Sequence, residues 1–133
     1  MPVDKLHVTV LKSDHEALRL RKQISGFFID KNLERDEHDN FWTMGESGPC
    51  GPCSEVYWDL GDHIAEAAER FLELWKLVFM QFIHNEGECK QQALPRTSVD
   101  TGMGLERMAS VLQKSLPTTT RTFSCLCFTR QPL

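Results

Sequence analysis

Basic side chains are in short supply in this chain of 133 residues: 15 Lys and Arg stand against 19 Asp and Glu, a net charge of −4 and a pI near 5.7. A free-standing nucleic-acid binder shows a basic stripe, so the balance argues against one. No apolar run approaches the roughly 18 residues of a membrane span, and no signal-peptide core opens the chain. The start, Met1-Pro2-Val3-Asp4-Lys5-Leu6, lacks the Arg-rich, acid-poor character of a transit peptide. An even set of cysteines is also missing. The count is five, which without a secretory signal reads as reduced thiols inside a cell. With 41% apolar and 26% charged residues, what remains is a soluble intracellular domain, or part of one, with a modest core.

Periodicity supplies the elements. Leu6 to Leu11 alternates as a short half-buried strand. Ser13 with Glu16 reads as a capping box, and Ala17, Leu18, Leu20 and Ile24 recur at helical spacing, giving a helix from about Asp14 to Ile24. Lys31 to Asn40 is mostly charged and reads as a solvated loop. Phe41 to Met44 reads as a strand ending at Gly45. Gly48-Pro49-Cys50-Gly51-Pro52-Cys53 reads as an irregular rigid loop, since two prolines lack donors and two glycines invite unusual dihedrals. Glu55 to Trp58 resumes an extended course, making a long-looped hairpin. Asp62 to Arg70 is a short helix or turn. Phe71 to Ile83 is β-branched and aromatic, which favours a central strand and places Lys76 on an otherwise apolar face, where an ammonium needs a partner or a route to water. His84 to Gln92 reads as a polar loop and Thr97 to Asp100 as a short strand. Thr101 to Gly104 reads as a glycine turn, followed by a helix from Leu105 to about Gln113. From Ser115 to Leu133 no periodicity survives, and Asp, Glu, Gly and Lys are absent.

Two groups of residues could carry chemistry. Cys50-x-x-Cys53 lacks the second pair that a four-ligand zinc site needs, and Cys125-x-Cys127 is one residue too tight; no metal is expected. No helix follows the pair to lower a thiol pKa, so a redox dithiol is no better supported. The second group runs strand, glycine turn, helix: Ser98-Val99-Asp100-Thr101-Gly102-Met103-Gly104-Leu105-Glu106-Arg107. A strand-end carboxylate can hold an ammonium, glycines allow close approach of a ligand, and an Arg on a first helical turn can hold phosphate. A plain glycine turn with a solvated Glu106–Arg107 pair fits the same spacing.

The segment Gly102-Met103-Gly104-Leu105-Glu106-Arg107 resembles the third signature of the class II aminoacyl-tRNA synthetases. Together with Asp39-Asn40-Phe41-Trp42, Met44 to Glu55 and Leu74 to Phe82, the text is similar to the alanyl-tRNA synthetase family over residues 4 to 114. The resemblance implies an α+β fold, an antiparallel β-sheet with flanking helices, forming the C-terminal part of a class II catalytic domain over residues 1–114. It also implies ATP-dependent activation of alanine to alanyl-adenylate and transfer to tRNA(Ala). ATP with Mg2+ would be the cosubstrate, with no zinc in this segment, no membrane partner, and little or no tRNA binding by this stretch alone. Asp100 would hold the alanine ammonium, Gly102 would crowd the methyl, and Trp42 and Val78 would wall the pocket. Gly104 and Arg107 would meet ATP, with Arg107 on the γ-phosphate as the catalytic residue. Such a pocket excludes larger side chains but discriminates weakly against glycine or serine.

Three departures stand out. The family usually has Asn, which contacts the substrate carboxylate, where this chain has Lys76. A lysine is either a longer point-charge partner for that carboxylate or a sign of relaxed constraint. The first and second class II signatures lie upstream of anything present, so Met1 is expected to fall within the catalytic domain, and the isolated chain is expected to be weak or inactive. Finally, Pro117 to Phe123, read one nucleotide earlier under suitable codons, gives Asn-Tyr-Asp-Thr-Asp-Leu, the family's common continuation. A frameshift near Lys114 to Leu116 would leave residues 115–133 without evolved function. The alternative to an enzyme is a non-catalytic chain that binds a partner or has no function, its unpaired sheet edge prone to aggregation. Whether the compartment is cytoplasmic or mitochondrial is open at this stage.

Overall fold

The computed structural model describes residues 1–25, 32–64, 70–87 and 91–114. After a 3₁₀ turn at Val3–Lys5 come β1 (Leu6–Leu11), α1 (His15–Ser25), β2 (Asn32–Arg35), α2 (Glu37–Asn40), β3 (Phe41–Thr43) and β4 (Gly48–Asp59). Then follow β5 (Phe71–His84), β6 (Gln92–Met103) and α3 (Leu105–Gln113). The strands form one sheet in the order β2-β1-β4-β5-β6, with β3 also paired to β4. Only the β1–β2 pairing is parallel among these; the rest are antiparallel. The expected α+β architecture is present, with the long apolar segment at Phe71–His84 inside the sheet, between β4 and β6.

Cross-strand register sorts the side chains into two faces, because paired residues share a face and neighbours alternate. One face carries Leu6, Val8, Val10, Ser54, Val56 and Trp58. The helices cover it: Arg21 of α1 donates to Ser54 Oγ at 3.0 Å, and Met108 of α3 lines a cavity with Leu6, Val56, Leu74 and Leu77. Val8, Val10 and Leu74 are fully or almost fully buried there. The other face, with His7, Thr9, Glu55, Tyr57, Glu73 and Lys76, is polar and opens on a cleft. No helix among the described residues is long and apolar enough to cross a membrane.

Four local expectations are corrected. The helix α1 is capped by Asp14, whose carboxylate accepts from Ala17 N–H at 2.9 Å, rather than by Ser13. Where a loop is expected from Lys31 to Asn40, the described part is mostly regular: Asn32–Arg35 pairs with β1 and Glu37–Asn40 is one helical turn. Charged side chains can stay solvated while their backbone completes a sheet edge, which composition does not reveal. Gly48–Cys53 is strand, not loop. Pro49 and Pro52 cannot donate, but their positions still pair with Ile83 and Phe41, and Pro49 O accepts from Met44 N–H. The predicted hairpin is therefore β3–β4, closed by residues 44–47 and not by the Gly-Pro-Cys run. Last, Thr101–Met103 continues β6, and Gly104 N–H extends the ladder to Leu74 O before α3 begins. The helix or turn expected at Asp62 to Arg70 lies largely outside the described residues, and the 115–133 tail wholly so.

Candidate active site

Four of the expected site residues form a block on two adjacent strands. Lys76 stands directly opposite Gly102, and Val78 directly opposite Asp100. Side chains in such a block share one face, and the Lys76–Asp100 diagonal spans about 7–8 Å between backbones. Val78 is buried, whereas Asp100 and Gly102 are exposed. Trp42 pairs with Gly51 on the β3 side of β4, where the β4–β5 register is irregular.

The block forms without turn chemistry. β6 reaches Met103 as a regular strand, so Asp100 and Gly102 are aimed by strand alternation. Asp100 Oδ1 accepts from its neighbour Thr101 N–H at 2.9 Å. Around Gly102 a methyl group would meet nothing within 4 Å, and its φ is not in the left-handed region. The chain's own packing therefore does not require glycine there.

Arg107 sits in the first turn of α3. Its Nη1 donates to Glu73 O at 2.9 Å and lies 3.6 Å from the Glu73 carboxylate, and about half of the side chain is exposed. Gly104 caps the helix, and a Cβ there would press on the Arg107 stem at 3.2 Å. The glycine thus leaves room for the arginine to fold back toward β5.

Lys76 has a partner that sequence reasoning missed. Its Nζ lies 2.6 Å from Glu55 Oε1, and the Glu55 side chain is only 3% exposed. The other carboxylate oxygen accepts from Tyr57 Oη at 2.5 Å and from Thr9 Oγ1 at 3.5 Å. Asn40 Nδ2 donates to Thr9 Oγ1 and to Cys53 O, each at 3.0 Å, which continues the network under β3. Burial opposes the Lys76 charge, but the Glu55 hydrogen bond and the Glu55 and Glu73 carboxylates outweigh it and leave the ammonium pKa raised. Burial and the hydrogen bond to Glu55 push the Tyr57 phenol well up, so it stays a donor at every ordinary pH. The available signal was Lys76 itself: a cation on an apolar strand face calls for a carboxylate on the neighbouring strand.

These groups floor a cleft of about 520 Å³ that also has His7, Arg35, His38 and Glu73 in its walls. Cys50 and Cys53, three apart on one strand with a register irregularity between them, are both buried. Burial raises both thiols, Cys53 to about 11 with the Glu55 charge adding to the effect. Among the described residues no group of three or more His, Cys, Asp or Glu is arranged to hold a metal ion.

Comparison with known proteins places this geometry in context. The family of class II (A) tRNA synthetases matches residues 1–124. The chain is 50% identical over 121 residues to the alanine–tRNA ligase of Caulobacter sp. (strain K31), a match covering 85% of this chain and 14% of that protein. It is 48% identical over 124 residues to the alanine–tRNA ligase of Solibacter usitatus and 46% identical over 121 residues to that of Rickettsia felis, with the same coverage. The chain spans about one-seventh of the length of these relatives. By its family match, its strand–helix signature and its sheet, the chain belongs to the class II (A) tRNA synthetases.

Proposed function

We propose that this chain supplies the amino-acid pocket and the triphosphate-facing arginine of an alanine-activating site. The reaction is that of an alanine–tRNA ligase: alanine and ATP give alanyl-adenylate and pyrophosphate, and the alanine passes to tRNA(Ala) in protein translation. The observation that carries the reading is the block formed by Lys76 opposite Gly102 and Val78 opposite Asp100. In it Asp100 holds the ammonium of alanine, Gly102 and Val78 bound the methyl, and Trp42 closes the β3 side. Lys76, diagonal to Asp100, faces the carboxylate. A zwitterion carries both charges on neighbouring atoms and fits between two such groups.

Arg107 and Gly104 meet the triphosphate at the head of α3, where the helix N-terminus favours an anion. For this Arg107 must exchange its present bond to Glu73 for phosphate, which its exposure permits. Mg2+ arrives with ATP as part of the substrate, and the described residues present no cage of their own for it. We further propose that residues 1–114 are the domain portion and that 115–133 arise from a shifted reading frame; codons incompatible with that shift would refute it.

The test is ATP–pyrophosphate exchange with alanine, using Arg107→Ala as control, alongside alanine binding. Alanine binding that persists in Arg107→Ala, with exchange low in the parent chain and absent in the variant, is the expected pattern. Binding that survives Asp100→Ala unchanged would remove the pocket assignment.

A further inference from the structure

The Glu55 carboxylate is held more firmly than neutralising Lys76 requires. Tyr57 and Thr9 both donate to Oε2, and Thr9 is in turn fixed by Asn40, whose side chain is fully buried. That leaves Oε1 aimed at Lys76 Nζ at 2.6 Å. An ammonium has three donors. Glu55 takes one, and the others are open to the cleft that Lys76 lines with 30% of its side chain exposed. On a bare strand a lysine carries four rotatable bonds and no defined head position. Here the carboxylate from β4 fixes the head: Lys76 stands on β5 between Glu55 and Gly102, and its ammonium is held on the β4 side of that rung.

We propose that Glu55 is a positioning residue: with Tyr57 and Thr9 it holds the Lys76 ammonium so that its free donors receive the carboxylate of the bound amino acid. This rests on the alanine reading of the Asp100–Gly102 block and adds to it the residue that aims the lysine. A longer cation can then do what a short amide does elsewhere, because a second carboxylate removes its freedom. Net charge is preserved, since the Glu55–Lys76 pair is neutral and the incoming zwitterion is neutral.

The experiment titrates the 133-residue chain with L-alanine and with L-alaninamide, which keeps the ammonium but lacks the carboxylate. The readouts are the backbone amides of β5 and β6 and the Lys76 ¹⁵Nζ resonance. Alanine is expected to bind about tenfold or more tightly than alaninamide, the size of one charge-assisted hydrogen bond, and to shift the Lys76 resonance. In Glu55→Gln the ratio should fall toward one while alaninamide affinity is kept. Should that variant not fold, Tyr57→Phe frees Oε2 without removing charge and should lower the ratio partway. A purely structural Glu55 predicts altered melting with an unchanged ratio, and that result overturns the positioning role while leaving the alanine pocket standing. Alanine that moves neither resonance set overturns both.

Discussion

Two glycine-bearing segments look alike as text and behave oppositely as structure. Gly48 to Cys53 lies inside the sheet, with Gly51, Pro52 and both thiols buried. A Cβ on Gly51 would stand 2.0 Å from Phe79 O, so this glycine exists to let β5 approach β4. Gly102 lies on β6, which among the described residues has one neighbour in the sheet and is exposed at nearly every position, and a Cβ there meets nothing within 4 Å. The first segment answers to the fold. Nothing in the described packing asks for glycine in the second, and under the proposed reading it is alanine that comes close to the backbone there. Cys50 and Cys53, buried and with raised thiol pKa values, belong with the first; under the proposed reading Asp100 and Arg107 belong with the second.

Alanine substitution at the two glycines sets the segments against each other most strongly. Gly51→Ala must displace backbone and should cost about 3 kcal/mol or more of unfolding free energy, with loss of the folded state a possible readout. Gly102→Ala should change urea-denaturation stability by less than about 0.5 kcal/mol, yet abolish alanine binding. Equal destabilisation at both sites would break the contrast.

The next effect concerns the junction between the two. Lys76→Met strands the Glu55 carboxylate and should cost about 2–3 kcal/mol, at the low end for a buried pair because Lys76 is partly exposed. Arg107→Ala loses a half-exposed pair with Glu73 and should cost less than about 1 kcal/mol while removing the response to ATP.

Smaller still is an acid effect that belongs to neither segment. Asp59 is held by two hydrogen bonds from Arg70, and with the Gly61 N–H this outweighs burial and lowers its pKa from 3.8 to about 2. A depressed carboxylate contributes stability above about pH 4 and loses it as pH falls toward 2. Denaturation of the parent chain should therefore weaken across that window more steeply than that of Asp59→Asn. In the buried segment, the raised thiol pKa values predict that iodoacetamide at pH 7.5 leaves native Cys50 and Cys53 unmodified, as peptide mapping would show.

The sequence was most legible where periodicity and function agree. The strand expected at Phe71 to Ile83 follows from β-branched and aromatic content, and the helix at Leu105–Gln113 from apolar spacing. Lys76, Val78, Asp100 and Gly102 were named as one site from motif resemblance, and the β5–β6 register brings them together. Less legible was anything that depends on a partner strand. Proline content hid the strand at Gly48–Cys53, because what makes it a strand is the ladder on both sides. Charge hid β2 and the burial of Asn40, whose amide satisfies Thr9 and Cys53 O from distant parts of the chain. Glu55 went unnamed since only the β4–β5 register puts it beside Lys76.

The central claim is that the open β5–β6 block, unlike the packed Gly-Pro-Cys segment, exists for alanine. Its most direct test is an alanine titration of the ¹⁵N-labelled chain and of Asp100→Ala. The account predicts saturable shifts confined to residues around Lys76, Val78, Asp100 and Gly102 that vanish in the variant. Shifts that persist in Asp100→Ala, or that centre on Cys50–Cys53 instead, would contradict it.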